Sequence, residues 1–314
     1  MAEQISIGID LGGTKIEIAA FDAAGRQRLR RRVPTPRGDY QATLQSIADL
    51  VRAGERELGA RASVGIGTPG AISRRTGCIK NANSTWLNGR PLKPDIERLL
   101  EREVRIANDA NCFALSETTD GAARGAAVVF GVILGTGVGG GIVVNGEVVT
   151  GANSIAGEWG HNPLPLPQSA DQPLPDCYCG RAGCIETYLS GPGLQFDHVR
   201  GGNEPAEAVD IALRAAAGEA ACEATLARYE ERLARSLAHV INLLDPDVIV
   251  LGGGLSNTER LYRNVPRIWE RYVFSDRIAT CLVPNRHGDS SGVRGAAWLW
   301  GRPANGGSAN MPVG

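Results

Sequence analysis

Residues 5–21 read ISIGIDLGGTKIEIAAF, and residues 128–144 read VVFGVILGTGVGGGIVV. In each stretch a run rich in Ile or Val meets a glycine turn and then resumes, the pattern of two strands joined by a tight connection. The recurrence near residue 10 and again near residue 135 predicts two related lobes.

Working outward from the first hairpin, a third strand is expected at 27–33, a helix from Tyr40 to Leu58 stopped by Gly59, and a strand over SVGIGT. A short helix at 93–102, a strand at 104–107 and a helix at 110–124 complete a first lobe over 1–120, to which a helix at 291–300 returns. The second lobe, 121–290, carries the second hairpin, helices at 204–217, 220–244 and 257–272, and the buried strand DVIVLGGG. Residues 301–314, GRPANGGSANMPVG, offer little to bury and are expected to be a disordered tail.

At 314 residues the chain is long enough for two cores, and 43% apolar with 21% charged residues is the composition of a folded protein. Basic and acidic residues number 33 and 34, so no field draws the chain to nucleic acid or an anionic membrane, and a small molecule is the expected partner. The start MAEQ leads straight into a strand without a basic and apolar leader, and no apolar run reaches membrane-spanning length, so a cytoplasmic location is expected. Seven cysteines suit no disulfide framework; three crowd into 177–184, and Cys78, Cys112, Cys222 and Cys281 are expected in cores.

In Asp10-Leu11-Gly12-Gly13-Thr14-Lys15 a carboxylate at a strand end precedes two glycines, a hydroxyl and an ammonium. Such a set suits a phosphate and its magnesium, while a plain hairpin turn explains the glycines equally. Gly135-Thr136-Gly137-Val138-Gly139-Gly140 and Gly65 to Gly70 both fit G-x-G-x-x-G, but the first runs into a strand and the second contains Pro69, so neither opens a dinucleotide-binding helix. A second phosphate-holding hairpin suits the first of them better. GxxxxGK[ST] is absent. Asn108-Asp109 ends a strand and begins a helix, where a carboxylate can serve as a proton acceptor or merely as a cap.

His161 followed by Cys177, Cys179 and Cys184 supplies the Cys₃His set of a closed structural zinc site, with clustered free thiols as the alternative. Zinc would order the proline-rich loop 163–176 and the adjacent Glu158, His161 and Glu186, whose polar side chains suit sugar hydroxyls, though glutamates are more often solvated. His198, His239 and His287 receive no role.

Together these segments resemble the ROK family of sugar kinases from Ile5 to Trp300: DLGGTK is similar to its first phosphate motif, ILGTGVGGG to its second, LGGG at 251–254 to its adenosine-side motif, and GEWGH with CYCGRAGCIE to its sugar and zinc signatures. The resemblance implies an α/β, two-lobed actin-like ATPase (ribonuclease H-like) fold with an interlobe cleft and a zinc-bound loop. It implies ATP, magnesium and structural zinc as cofactors, Asp109 as catalytic base, and Asn83, Asn108, Asp109, Glu158, His161 and Glu186 as sugar contacts. Where many members read Pro-Asn, this chain reads Lys80-Asn81, so Asn81 competes with Asn83 for that role. His161, Cys177, Cys179 and Cys184 would hold zinc; Asp10, Gly12, Gly13, Thr14, Lys15, Gly135, Thr136, Gly137, Gly252, Gly253 and Gly254 would surround the nucleotide.

Within the family, KNANSTWLNG, ANDANCFALSE and HGDSSGVRGAAWLW are most similar to bacterial fructokinases that also accept mannose, so fructose is the expected substrate, with N-acetylglucosamine the alternative. Sugar-responsive repressors of the family carry a helix-turn-helix before the first motif, for which nine residues ahead of Asp10 leave no room. Sugar and ATP are the implied partners, without nucleic acid or membrane, and a homodimer is the assembly to test for.

Overall fold

A computed structural model describes residues 4–301, so the expected tail from 302 onward lies outside the described residues. The chain is mixed α/β, and its described residues separate into two units, 4–125, 141–156 and 289–301 in one, and 126–140 with 157–288 in the other.

The first unit is built on β1 (Ser6–Leu11), β2 (Lys15–Phe21), β3 (Gln27–Pro34), β4 (Ser63–Thr68) and β7 (Arg105–Asn108), in the order β3-β2-β1-β4-β7. The minor pair β5 (Ala71–Ile72) and β6 (Ile79–Lys80) lies apart. β1 is antiparallel to β2 and parallel to β4, and β4 is parallel to β7. Ile7, Ile9 and Leu11 are fully buried because the central strand is covered on both faces. Helix α1 (Tyr40–Leu58) turns Leu44, Ile47 and Val51 onto this sheet; Asp39 caps its start and left-handed Gly59 its end, and α2 (Leu92–Leu100) packs beside it.

On the other face, α3 (Asp109–Thr119) packs on α9 (Ser291–Trp298), which lies flush against β1 and β4. The approach needs glycine: a Cβ on Gly8 would strike the Val293 carbonyl, and one on Gly295 the Cys112 carbonyl.

The second sheet is β8 (Val128–Leu134), β9 (Val138–Val144), β10 (Glu147–Val148), β11 (Val248–Gly252) and β12 (Cys281–Pro284), ordered β10-β9-β8-β11-β12. It repeats the first arrangement: a hairpin strand and its neighbour at one side, two parallel strands at the other. Its helices are α4 (Glu186–Leu189), α5 (Gly191–Arg200), α6 (Ala208–Ala216), α7 (Ala220–Leu244) and α8 (Leu261–Trp269). Residues 141–156, expected with the second lobe, group with the first unit: Gly141 presses on the Ala110 carbonyl of α3, and Lys80 Nζ donates to the Asn153 carbonyl at 2.8 Å. Of the four isolated cysteines, Cys112 and Cys222 are buried, but Cys78 is half-buried and Cys281 exposed.

Candidate active site and metal centre

In the first unit, Asp10, Thr68 and Asn108 come to the same edge, since Asp10 pairs with Gly67 and Thr68 with Asn108 at the carboxyl ends of parallel strands. The glycine turn follows, with Gly12 N–H donating to the Lys15 carbonyl at 3.0 Å. The carbonyls of Gly12, Gly13 and Thr14 are drawn off by Thr35 Oγ1 at 2.7 Å, Arg37 Nε at 2.9 Å and Thr35 N–H at 3.0 Å. With its oxygens pulled to one side, the turn is suited to meet an anion with its amides.

The cap of α3 is Asn108, not Asp109: Asn108 Oδ1 accepts the Ala110 amide at 2.9 Å, and its Nδ2 donates to the Gly70 carbonyl at 3.1 Å. Asp109 is the first helical residue and also accepts that amide, at 2.8 Å. Burial, then the neighbouring Asp109 and Glu17 charges, push the Asp10 carboxyl up to about 7, with Lys15 and Arg32 opposing. Two carboxylates that repel in this way favour a hard cation between them and its phosphate load. Asn81 and Asn83 are both exposed, Asn81 with φ of 59°, on a segment pinned by two Asn88 bonds to the Ala82 backbone, both 2.9 Å. Ser84 beside them sits against the first turn, its Oγ 3.0 Å from where a Gly13 Cβ would stand.

In the second unit, Gly135 N–H donates to the Gly137 carbonyl at 3.0 Å, closing the Gly135-Thr136-Gly137 turn. Segment 186–191 braces it twice: Gly191 N–H reaches the Gly135 carbonyl at 2.8 Å, and Glu186 Oε2 accepts the Val138 amide at 2.9 Å. Beside the turn opens a cavity of about 1020 Å³, walled by Ala208, Val209, Ala212 and Leu213 of α6, with Gly254 and Arg260 opposite. An apolar wall with a few polar groups at this volume suits a nucleoside. Of the three glycines at the end of β11, Gly254 lines this cavity, whereas Gly253 packs on the Leu134 backbone and Gly252 stays in the ladder opposite Ile133.

The Gly157–His161 segment lies against β9 because Gly160 admits the Val138 carbonyl and Trp159 Nε1 donates to the Gly139 carbonyl at 3.0 Å. Glu158 and His161 are thereby placed at either end of a single 3₁₀ turn.

His161, Cys177, Cys179 and Cys184 bring their ligand atoms within 4.8 Å of one another. Cys179 Sγ to Cys184 Sγ and Cys177 Sγ to His161 Nδ1 are both 3.6 Å. A tetrahedron with Zn–S of about 2.3 Å and Zn–N of about 2.0 Å has edges of roughly 3.5–3.8 Å, so the donor set and its spacing fit zinc. Arg181 holds the Cys179 thiol down to about 6, while burial pushes Cys184 up to about 12. Nδ1 is the His161 atom on the sulfur side, and Nε2 faces the Tyr178 hydroxyl at 3.0 Å.

The loop at 163–176 has a second anchor that the sequence reading missed. Fully buried Asp171 pairs with Arg232 at 2.7 Å and Arg235 at 2.9 Å, and Arg235 also donates to the Pro165 and Leu166 carbonyls.

The ROK family matches residues 6–302. The chain is 44% identical over 296 residues to an N-acetyl-D-glucosamine kinase of Yersinia pseudotuberculosis, spanning 93% of this chain and 97% of that protein. Among solved structures it is similar to the ROK hexokinase from Thermus thermophilus, at 32% identity and a TM-score of 0.83, covering 94% of this chain and 97% of that one. It is also similar to a ROK family glucokinase from Streptomyces griseus in complex with glucose and AMPPNP, at 27% identity and a TM-score of 0.75 over 94% and 98%.

The relatives overturn the fructokinase expectation, and the fold explains why it arose. Beyond Asn108-Asp109, ANDANCFALSE is the buried body of α3, and HGDSSGVRGAAWLW is largely α9, so much of both records how two helices pack and not which sugar is held. From the first glycine turn to the last helix, this chain belongs to the ROK family.

Proposed function

We propose that the chain is an ATP-dependent kinase of N-acetyl-D-glucosamine. The observation that carries this reading is 44% identity to such a kinase across 93% of the chain. The two glycine turns, the nucleoside-sized cavity beside the second, and the likeness to a glucokinase in complex with glucose and AMPPNP support ATP as the donor.

In this reading Gly12, Gly13, Thr14, Lys15, Gly135, Thr136 and Gly137 hold the phosphates, and Asp10 attracts magnesium. The adenosine occupies the cavity under α6, against Gly254. Asn83, Asn108, Glu158, His161 and Glu186 bind the sugar, and Asp109 accepts the proton of the attacking hydroxyl as its oxygen bonds to the γ-phosphorus and ADP leaves. His161, Cys177, Cys179 and Cys184 hold a zinc whose closed shell supplies rigidity and no chemistry. Free thiols and ATP both suit a cytoplasmic setting.

A coupled assay of ADP release over N-acetylglucosamine, glucose, mannose and fructose tests the proposal. The expected result is the highest kcat/KM on N-acetylglucosamine. Turnover on a plain hexose with none on the acetamido sugar would overturn it.

A further inference from the structure

Glu230 of α7 is only 3% exposed, and its carboxylate is met by donors from the start of α8. Arg260 Nε reaches Oε1 at 2.6 Å and Nη2 reaches Oε2 at 3.3 Å, while Asn264 Nδ2 lies 3.1 and 3.0 Å from the two oxygens. Arg260 immediately precedes α8 and Asn264 follows four residues later, so one carboxylate grips two successive turns of the same face. Seven residues before Glu230, two turns back on that face of α7, Glu223 accepts Arg260 Nη1 at 2.5 Å.

Glu223, Arg260 and Asn264 line the cavity beside the second glycine turn, whereas Glu230 is not part of that lining. A wall built on an arginine needs such backing. The side chain gives up much rotamer freedom when held in one conformation, and a loose guanidinium next to a phosphate-type turn would be drawn to any anion there. Forked between two carboxylates, Arg260 is fixed and its charge is offset before a ligand arrives.

We propose that Glu230 is a positioning residue for the nucleotide donor. It fixes Arg260 and Asn264 as the wall against which the nucleoside packs, and so sets affinity for the nucleoside part of ATP and not for its phosphates. This rests on the proposed reading in which the cavity holds the adenosine. If the same ion pairs served only to tie α7 to α8, which pack on each other, their loss would weaken the fold and fall on every ligand alike.

Two variants test it. Glu230→Gln keeps the size but places an NH₂ group where a carboxylate oxygen meets donors, so it releases one of its partners. Arg260→Lys keeps the positive charge and loses the planar fork that spans Glu223 and Glu230. With acceptor sugar saturating, kcat and KM for ATP are measured by ADP release, together with inhibition against ATP by magnesium ADP and by magnesium pyrophosphate, which lacks the nucleoside. Wild type that binds ADP no tighter than pyrophosphate overturns the adenosine reading of the cavity, whatever the variants do, and the proposal with it. With ADP the tighter ligand, each folded variant is expected to raise KM for ATP and the inhibition constant of ADP about 5-fold or more, with kcat and the pyrophosphate constant within about 2-fold of wild type. An unchanged KM for ATP overturns the proposal. So does a pyrophosphate constant weakened as much as that of ADP, or loss of the fold in both variants, since either assigns the cluster to stability alone.

Discussion

The Glu186 carboxylate accepts the Val138 amide at 2.9 Å, so the residue two positions past the metal-type ligand Cys184 also closes the second glycine turn. Gly137 is required for this closeness, because a Cβ there would stand 2.7 Å from Glu186 Oε2. Gly137→Ala should therefore push Glu186 off the turn and leave the Val138 amide without its charged acceptor, a loss of about 1–3 kcal/mol. The expected reading is a KM for ATP raised about 10-fold in steady-state kinetics. An unchanged KM for ATP would mean that the brace does not shape the phosphate site.

The parts of the chain that were legible from sequence are those whose signal is local. Both hairpins and the Cys177–Cys184 cluster are short stretches whose residue types admit few geometries. Helix α5 was missed because Gly191 and Gly193 mask its start, although Ser190 accepting the Gly193 amide and Pro192 in the first turn form a recognisable cap. Strand β12 is only four residues long. The Asp171–Arg232–Arg235 cluster could not be read, since its partners lie 61 and 64 positions apart and nothing near Asp171 marks it as buried. Nor did any local pattern show that Thr35 and Arg37 turn the Gly12–Thr14 carbonyls aside, or that two of the three segments suggesting fructose are largely helix contacts.

That buried cluster changes what chelation should do. If zinc were the sole anchor of the loop, its removal would release residues 163–176 together. Because Arg235 holds the Pro165 and Leu166 carbonyls and Asp171 is held by two arginines, hydrogen exchange after zinc removal should rise over 177–186 while 165–172 keep their protection. Arg235→Met should produce the converse, with exchange rising over 165–172 and zinc retained. Uniform release on chelation would show that the ion pairs depend on the metal.

Asp10 makes stability depend on pH in an unusual direction. Its carboxyl is raised to about 7 in the folded chain from an ordinary value of 3.8. Between those values the folded state keeps the proton and the unfolded state has lost it, so stability falls as pH rises through the window and the loss is complete above about 7. Asp10→Asn removes the penalty. Without nucleotide or magnesium it should melt higher than wild type at pH 8, by about 1–3 kcal/mol after solvent screening, with the advantage shrinking toward pH 4. Equal melting temperatures at pH 8 would show that the carboxyl is not strained by its surroundings.

Asp109 carries the heaviest chemical load in the proposed reaction and has the simplest structural alternative, because an acidic residue in the first turn of α3 also favours the helix dipole. The two roles separate cleanly. Asn108 already caps α3 through Ala110, so Asp109→Asn should lower stability by no more than about 1 kcal/mol. As a proton acceptor, however, an amide is useless at neutral pH, and general-base contributions run to about 10²–10⁴-fold. Turnover of Asp109→Asn should fall by at least about 100-fold, while calorimetric sugar affinity stays within about 5-fold and the melting temperature within a few degrees of wild type. A variant that melts normally and turns over at the wild-type rate would leave Asp109 a helix-end residue and move the search for the base elsewhere in the first unit.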